Sequence, residues 1–328
     1  MSEWGFAGLS LRDLEYAIAV ADLRHFGKAA ERCGVSQPAL SEQIRKLEAV
    51  LRVTLFERSR KSVEVTVEGA AILRQARAVL REARGLFDVA RSHGDPLAGP
   101  LRLGVIPTLG PYYLPLVLQS LRGAFPALAL RLEEGMTDQI LDRLQANSLD
   151  LVLIALPEPM AGLSTEALFF EPFQIVAPES HPIAHLNRIT VEDLRGEDFL
   201  LLEEGHCLRD QAVALCGSHP RRAGRFASSL EMLRHMIAAG EGFALLPALS
   251  VKDRPDLDGL AAIRPVEAIE MGEGQAPTLP GRTIGLVWRS RDPRNTAFRR
   301  LAGFLRGHAP QGTQAAPDPA PEADPAVA

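Results

Sequence analysis

The feature that most constrains the fold lies near the start of the chain, where short helices are predicted on either side of a tight turn. Ser10 and Asp13 form a capping-box pattern, and apolar residues then recur at helical spacing. A second short helix, around residues 28–32, ends at a turn over residues 33–35, and Ser36 is placed to cap the next helix. This order is the helix-turn-helix pattern, which favours a DNA-binding domain over residues 1–66.

The second helix of such a motif meets base edges in the major groove with its first residues. The candidate DNA-binding residues on it are Ser36, Gln37, Pro38, Ala39, Ser41 and Arg45. The alternating residues 56–65 then predict a β-hairpin wing, whose basic tip carries Arg58, Arg60 and Lys61. A basic turn is often only solvated, but its position directly after a recognition helix favours contact with DNA phosphates.

A long helix is predicted over residues 67–93, after Thr66. Leu73, Leu80 and Phe87 belong to an apolar series with alternating spacings of 3 and 4, which is a heptad seam. Such a seam could pack on its own domain or form a coiled coil with a second copy. We favour the dimer, because a glycine- and proline-rich hinge over residues 94–100 follows and little nearby sequence could cover the seam.

Residues 101–308 alternate between predicted strands and helices, and residues 149–156 are almost continuously apolar, as in a buried parallel strand. The pattern predicts an α/β domain. Thr108, Thr137 and Ser229 each lie where a strand gives way to a helix, the edge at which open α/β sheets bind ligands. Each could also simply cap its helix. The acidic, proline- and alanine-rich residues 309–328 predict a disordered tail.

Two of the chain's three cysteines, Cys207 and Cys216, lie close together in the sequence. His206 and Arg209 flank Cys207, and a nearby cation favours the thiolate, the form that peroxide oxidises to a sulfenic acid. If the intervening residues are helical, the two Cα atoms are about 13 Å apart, whereas a disulfide tolerates about 7 Å. Oxidation would then require a conformational change. The spacing alone is equally consistent with two ordinary thiols in a loop, and Cys33 is expected to be a packed residue without a redox role.

Composition limits the compartment and the partners. The net charge of −5 over 328 residues provides no general basic field, so any nucleic-acid site must be local. The chain has no secretory signal pattern and no apolar run long enough to span a membrane. Its 3 cysteines do not form a secreted disulfide framework, which favours a reducing cytoplasm. No metal and no cofactor are expected.

Residues 9–68 resemble the DNA-binding domain of LysR-type transcriptional regulators, in the segments 28–30, 35–41 and 44–48. Residues 101–306 resemble the effector domain of the same family. The segments 106–112, 205–211, 229–231 and 282–287 are similar to its peroxide-sensing members. The resemblance implies an all-α winged helix-turn-helix domain with a long linker helix, followed by a periplasmic-binding-protein-like α/β domain of two subdomains.

By that resemblance, Cys207 is the peroxidatic thiol and Cys216 the resolving thiol of a reversible disulfide. The implied peroxide pocket consists of Thr108, Thr137, His206, Arg209, Asp210, Ser229 and Arg282. Thr108 and Thr137 would hold hydrogen peroxide, and Arg282 would stabilise the thiolate or the leaving oxygen. The implied partners are promoter DNA, RNA polymerase, further copies of the chain in a dimer of dimers, and a thiol reductant of the glutaredoxin or thioredoxin type.

Two alternatives remain open at this point. A LysR-type regulator could bind a small organic inducer in the effector-domain cleft, with Cys207 incidental. A thiol peroxidase enzyme could use the same pair of cysteines, although the N-terminal DNA-binding pattern argues against it.

Overall fold

The computed structural model describes residues 8–58, 63–91, 95–156, 160–194, 198–216, 226–254, 257–267 and 279–316. The chain divides into two compact units, Met1–Arg91 and Ser92–Ala328. Each unit has its own hydrophobic core. No helix in the described ranges combines the length and the apolar character needed to cross a lipid bilayer.

The N-terminal unit has the predicted winged helix-turn-helix order. Its elements are α1 (Leu11–Leu23), α2 (Phe26–Cys33), α3 (Gln37–Leu51), β1 (Phe56–Arg58), β2 (Val63–Val65) and α4 (Val67–Arg91). The predicted capping box at Ser10 is confirmed, and the Ser36 hydroxyl accepts a hydrogen bond from the Ala39 amide. Gly34 ends α2 at a positive φ of 66°, a conformation that glycine adopts without strain. The hairpin of β1 and β2 confirms the wing, although its tip at residues 59–62, with Arg60 and Lys61, and the Arg58 side chain lie outside the described part.

Helix α4 corrects one expectation about the heptad seam. Leu73 and Leu80 are only 2% and 8% exposed, because α4 packs them into the core of its own unit beside α1. The sequence predicted that these two leucines face a partner helix, and this prediction is wrong because they are buried in their own unit. Phe87 is 68% exposed, and the neighbouring Val79 and Leu86 are also exposed. Among the described side chains of α4, the exposed large apolar ones are therefore Val67, Val79, Leu86 and Phe87.

The C-terminal unit alternates strands and helices, as predicted for an α/β domain. Its elements are β3 (Gly99–Val105), α5 (Gly110–Ala124), β4 (Leu128–Glu134), α6 (Thr137–Gln145), β5 (Leu151–Ala155), β6 (Leu163–Pro178), β7 (Leu201–Leu202), α7 (Cys207–Cys216), β8 (Phe226–Ala227), α8 (Leu230–Ala238), β9 (Ala244–Pro247), α9 (Ala248–Val251), β10 (Ala261–Pro265), β11 (Gly281–Arg289) and α10 (Asn295–Gly307). Among the described strands, the main sheet has the order β4-β3-β5-β11-β6-β10, and β9 also pairs with β6. Strand β3 is parallel to β4 and β5, and β11 is antiparallel to β5 and β6.

Strand β6 joins the two halves of this unit. Residues 163–172 pair with β11, whereas residues 173–178 pair with β9 and β10. The strand is continuous over its 16 residues. A single strand that belongs to both halves produces the two-subdomain α/β architecture.

The predicted disordered tail is partly wrong. The backbone of Gln314 exchanges two hydrogen bonds with that of Phe170 in β6, at 2.8 and 2.9 Å, and Pro310 is buried. Residues 309–316 are therefore held against the sheet by backbone pairing that composition does not predict. Residues 317–328 lie outside the described part.

Candidate redox site and DNA-binding surface

Helix α7 confirms the conditional prediction about the two cysteines. It begins at Cys207 and ends at Cys216. A helical rise of about 1.5 Å per residue places their Cα atoms about 13 Å apart, well beyond the roughly 7 Å limit of a disulfide. Cys207 is a free, partly buried thiol that packs against the domain core. The side chain of Cys216 lies outside the described part of the chain.

Three loops converge at the start of α7. The Gly135 amide, after β4, donates to the carbonyl of Val105 at the end of β3 at 3.2 Å. Met136 follows Gly135 and lies against Gly205, since a Cβ built on Gly205 would be 3.7 Å from the Met136 Cγ. Gly205 itself has a φ of +95°, which permits the turn into α7. The chain ends that follow β3 and β4 and the segment that precedes Cys207 are thus neighbours.

Unpartnered polar atoms are concentrated at this junction. His206 is only 4% exposed, and its Nδ1 has no hydrogen-bond partner among the described residues. The same is true of the buried Thr137 Oγ1 and Gln211 Oε1. A buried polar atom without a partner costs about 1–3 kcal/mol, so this arrangement favours a small polar ligand that can form hydrogen bonds. Gln211 was not predicted as a site residue, although its place one helical turn after Cys207 could have indicated it.

The sequence left open whether Thr108, Thr137 and Ser229 cap their helices or face a ligand. Thr137 and Thr108 do not cap their helices. The cap of α6 is Met136, and Thr137 is the first helical residue. The cap of α5 is Leu109, which makes no side-chain cap bond. The third candidate, Ser229, does cap its helix, because its hydroxyl accepts from the Met232 amide at 3.1 Å. Both threonine hydroxyls are therefore available for other contacts.

Thr108 is paired with a buried ion pair. The Arg282 guanidinium donates from Nη1 to the Thr108 hydroxyl oxygen at 2.7 Å and from Nη2 to the Thr108 carbonyl at 2.8 Å. Its Nε donates to Glu171 Oε2 at 2.9 Å, and both charged side chains are fully buried. Sequence reasoning identified Thr108 and Arg282 but missed Glu171. A charged residue inside the apolar run of residues 167–173 was the available signal.

Arg209 and Asp210 occupy different surroundings. Arg209 donates to the Leu202 carbonyl in β7 at 3.0 Å, and its guanidinium lies 4.7 Å from the centre of the Phe226 ring in β8. These contacts fasten the first turn of α7 to the small β7–β8 sheet. Asp210 is exposed to solvent.

A second polar cluster joins α5 to α8. The Tyr112 hydroxyl is 2.6 Å from Glu231 Oε1 and accepts a hydrogen bond from Arg234 at 3.2 Å. Burial, followed by the contact with Glu231, raises the pKa of Tyr112 far above its usual value. Burial alone would raise the pKa of Glu231, but the hydrogen bond from Tyr112 and the positive charge of Arg234 lower it overall. The cluster therefore stays as a neutral phenol donating to a carboxylate at neutral pH.

The DNA-binding candidates lie together at the start of α3. Ser36, Gln37, Pro38 and Ala39 are exposed, while Leu40, Ile44 and Leu47 bury the opposite face. Arg45 is also exposed, next to Glu42 at 3.1 Å. The polar face is thus free of the core of its unit and has the composition expected of a recognition helix.

Comparisons with known proteins agree with this architecture. The family model described as "Bacterial regulatory helix-turn-helix protein, lysR family" matches residues 11–70, and the LysR substrate binding domain matches residues 94–310. The chain therefore belongs to the LysR family of transcription regulators.

Two relatives at more than 40% identity place the chain in the OxyR branch of this family. The DNA-binding transcriptional dual regulator OxyR of Escherichia coli K12 is 43% identical over 304 residues, which cover 91% of this chain and 95% of the relative. The hydrogen peroxide-inducible genes activator of Pectobacterium carotovorum is 42% identical over 303 residues, with 92% and 97% covered.

Solved structures resemble most of the chain as well. A full-length OxyR variant from Pseudomonas aeruginosa has a TM-score of 0.70 at 38% identity and covers 91% of this chain and 95% of its own. An H2O2-bound mutant of Corynebacterium glutamicum OxyR has a TM-score of 0.58 at 33% identity, with 91% and 94% covered.

Proposed function

We propose that this chain is a hydrogen-peroxide-sensing transcription regulator, switched by a reversible disulfide between Cys207 and Cys216. The observation that carries the proposal is that the two cysteines are the first and last residues of the same helix, α7. An intact helix holds them too far apart to bond, so the disulfide requires a different backbone for residues 207–216. Oxidation state and conformation are thereby coupled.

The chemistry uses one peroxide for each disulfide. The Cys207 thiolate attacks one peroxide oxygen, an S–O bond forms, the O–O bond breaks and hydroxide leaves. The Cys216 thiolate then attacks the sulfur of the sulfenic acid, an S–S bond forms and a second hydroxide leaves. Protonation of both hydroxides yields water. The two thiols lose two electrons in total, and the peroxide gains them.

The junction at the start of α7 supplies the pocket. In our proposal Thr108 and Thr137 hold the peroxide through their hydroxyls, and the unpartnered Nδ1 of His206 contributes a further hydrogen bond. Arg282 stabilises the leaving oxygen through the hydroxyl of Thr108, to which it donates a hydrogen bond. Arg209, Asp210 and Ser229 shape the surroundings, and the Arg209 contacts to β7 and β8 must break when α7 is rebuilt.

The signal passes from this pocket to DNA through changed packing of the effector domain, residues 101–308. Residues 1–66 bind promoter DNA, the linker helix over residues 67–93 dimerises through Val79, Leu86 and Phe87, and residues 94–100 act as a hinge. Two dimers pair, so that recognition helices meet palindromic half-sites about one helical turn apart. RNA polymerase responds to the changed complex, and a glutaredoxin- or thioredoxin-type reductant of the cytoplasm resets it. The chain is not an enzyme in this scheme, because peroxide acts as a stoichiometric signal.

Substitution of the two cysteines tests the proposal. After exposure to micromolar peroxide, Cys216→Ser should form a sulfenic acid at residue 207 that a dimedone probe traps, without any disulfide. Cys207→Ser should form neither product, and both variants should lose the peroxide-dependent change in promoter footprint. Cys33→Ser is the matched control and should respond like the unaltered chain. A normal footprint change in Cys207→Ser would reject the mechanism.

A further inference from the structure

We propose that Glu171 is a positioning residue for the oxidation of Cys207, acting through Arg282 on the hydroxyl of Thr108. The inference rests on the proposed function. Glu171 lies in β6 directly opposite Arg282 of β11, and both side chains are completely buried. Glu171 Oε2 accepts from Arg282 Nε at 2.9 Å, and Oε1 accepts from the Leu249 amide at 3.0 Å. Both carboxylate oxygens are thus engaged by groups that hold the side chain still.

The held guanidinium determines how Thr108 is oriented. Arg282 donates to both the hydroxyl and the carbonyl oxygen of Thr108, which is only 3% exposed. A guanidinium has donors and no acceptor. The Thr108 oxygen must therefore accept from Arg282, and its own hydrogen must point to another group. No described residue accepts that hydrogen.

The consequence is a hydroxyl whose hydrogen is oriented by its neighbour. A serine or threonine hydroxyl usually rotates and alternates between donating and accepting. Here one lone pair of the Thr108 oxygen is occupied by Arg282, so the hydrogen points away from the guanidinium and remains able to donate to a ligand. Negative charge develops on the peroxide oxygen that departs as the Cys207 sulfur attacks, and a donor already aimed at that oxygen stabilises the transition state more than the bound peroxide.

Glu171 is needed because Arg282 has no other described anionic partner. A carboxylate opposite the guanidinium neutralises its buried charge and fixes the orientation of the guanidinium plane. Without that carboxylate, the two bonds to Thr108 would no longer be held in one geometry. Thr108 makes the direct contact to the peroxide. Glu171 is linked to Thr108 through Arg282 by two successive hydrogen bonds.

The test compares two reactions of the same thiol in full-length protein. Peroxide needs both the Cys207 thiolate and a stabilised leaving oxygen, whereas iodoacetamide needs only an accessible thiolate. Glu171→Gln should lower the ratio of the peroxide to the iodoacetamide rate constant by about tenfold or more. Thr108→Val should lower the ratio similarly. The double variant should be no slower than either single one, because the two residues act through one hydrogen bond.

The matched control is Asp150→Asn, which removes another buried carboxylate paired with arginines in the same unit. It should leave the ratio unchanged. If Glu171→Gln does not fold, Arg282→Lys replaces it, since a lysine cannot form the two-pronged contact and should also lower the ratio. An unchanged ratio in these variants would overturn the role of Glu171. Failure of the unaltered protein to react with peroxide would instead overturn the proposed function.

Discussion

Helix α7 should control the redox equilibrium, since its helical form keeps the two cysteines apart. Ala214 is an exposed residue of this helix, so replacing it by glycine removes helix propensity without removing buried contacts. Glycine in a helix costs about 0.5–1 kcal/mol relative to alanine. If the helix must unwind to form the disulfide, this cost falls on the reduced state alone.

The expected effect is a more stable disulfide. A cost of about 0.5–1 kcal/mol corresponds to a reduction potential about 10–20 mV more negative. Ala214→Pro should act in the same direction with a larger effect, because proline in a helix costs about 3 kcal/mol, or about 60 mV. The measurement is a titration in glutathione buffers of known potential, with alkylation of free thiols followed by mass spectrometry.

Ala71→Gly is the matched control, because Ala71 is an exposed residue of α4 in the other unit. It should leave the potential unchanged. The reasoning is refuted if Ala214→Gly and Ala214→Pro lower the stability of the reduced protein but do not shift the potential. That outcome would mean that α7 keeps its helical form in the disulfide state.

Three further perturbations follow from other parts of the chain. Burial alone would raise the pKa of Asp150, but its arginine partners, including Arg294, lower it well below its usual value. The stability that Asp150 gains from its arginine partners should therefore be present at neutral pH and lost as the pH falls below about 4. In urea titrations, the free energy of unfolding of Asp150→Asn should lack that acid dependence and should be about 3–5 kcal/mol lower at neutral pH. Gln37→Ala should reduce discrimination between promoter and random DNA by about 1–3 kcal/mol with little change in random-DNA affinity, as measured by fluorescence anisotropy at fixed salt. Removing residues 311–328 abolishes the backbone pairing of Gln314 with Phe170 and should lower the free energy of unfolding by about 1–3 kcal/mol in urea titrations.

Local contacts explain which predictions succeeded. The caps at Ser10 and Ser36 involve groups three residues apart, so a short stretch of sequence determines them. The residues between Cys207 and Cys216 include no glycine or proline, which permits a helix but did not exclude a loop. Once α7 is helical, the dimensions of a helix alone keep the two cysteines apart.

Contacts between distant segments explain the errors. The heptad pattern of α4 is real, but Leu73 and Leu80 satisfy it by packing into their own unit. Likewise, nothing in the composition of residues 309–316 indicates that Gln314 will pair with Phe170. In both cases a periodic or compositional pattern shows which residues are apolar or polar, but it does not determine which distant residues they contact.

By itself, the amino-acid sequence determined the winged helix-turn-helix order and the α/β class, because each depends on neighbours within a few turns or strands. The helix between Cys207 and Cys216 was one of two possibilities that the sequence left open, and the structure decided it. The pairing of Glu171 with Arg282, which are 111 residues apart, arises only when β6 and β11 lie side by side. The same folding step brings Arg282 to Thr108, 174 residues away. Burial then makes these contacts strong, since charged groups removed from water must find partners within the protein.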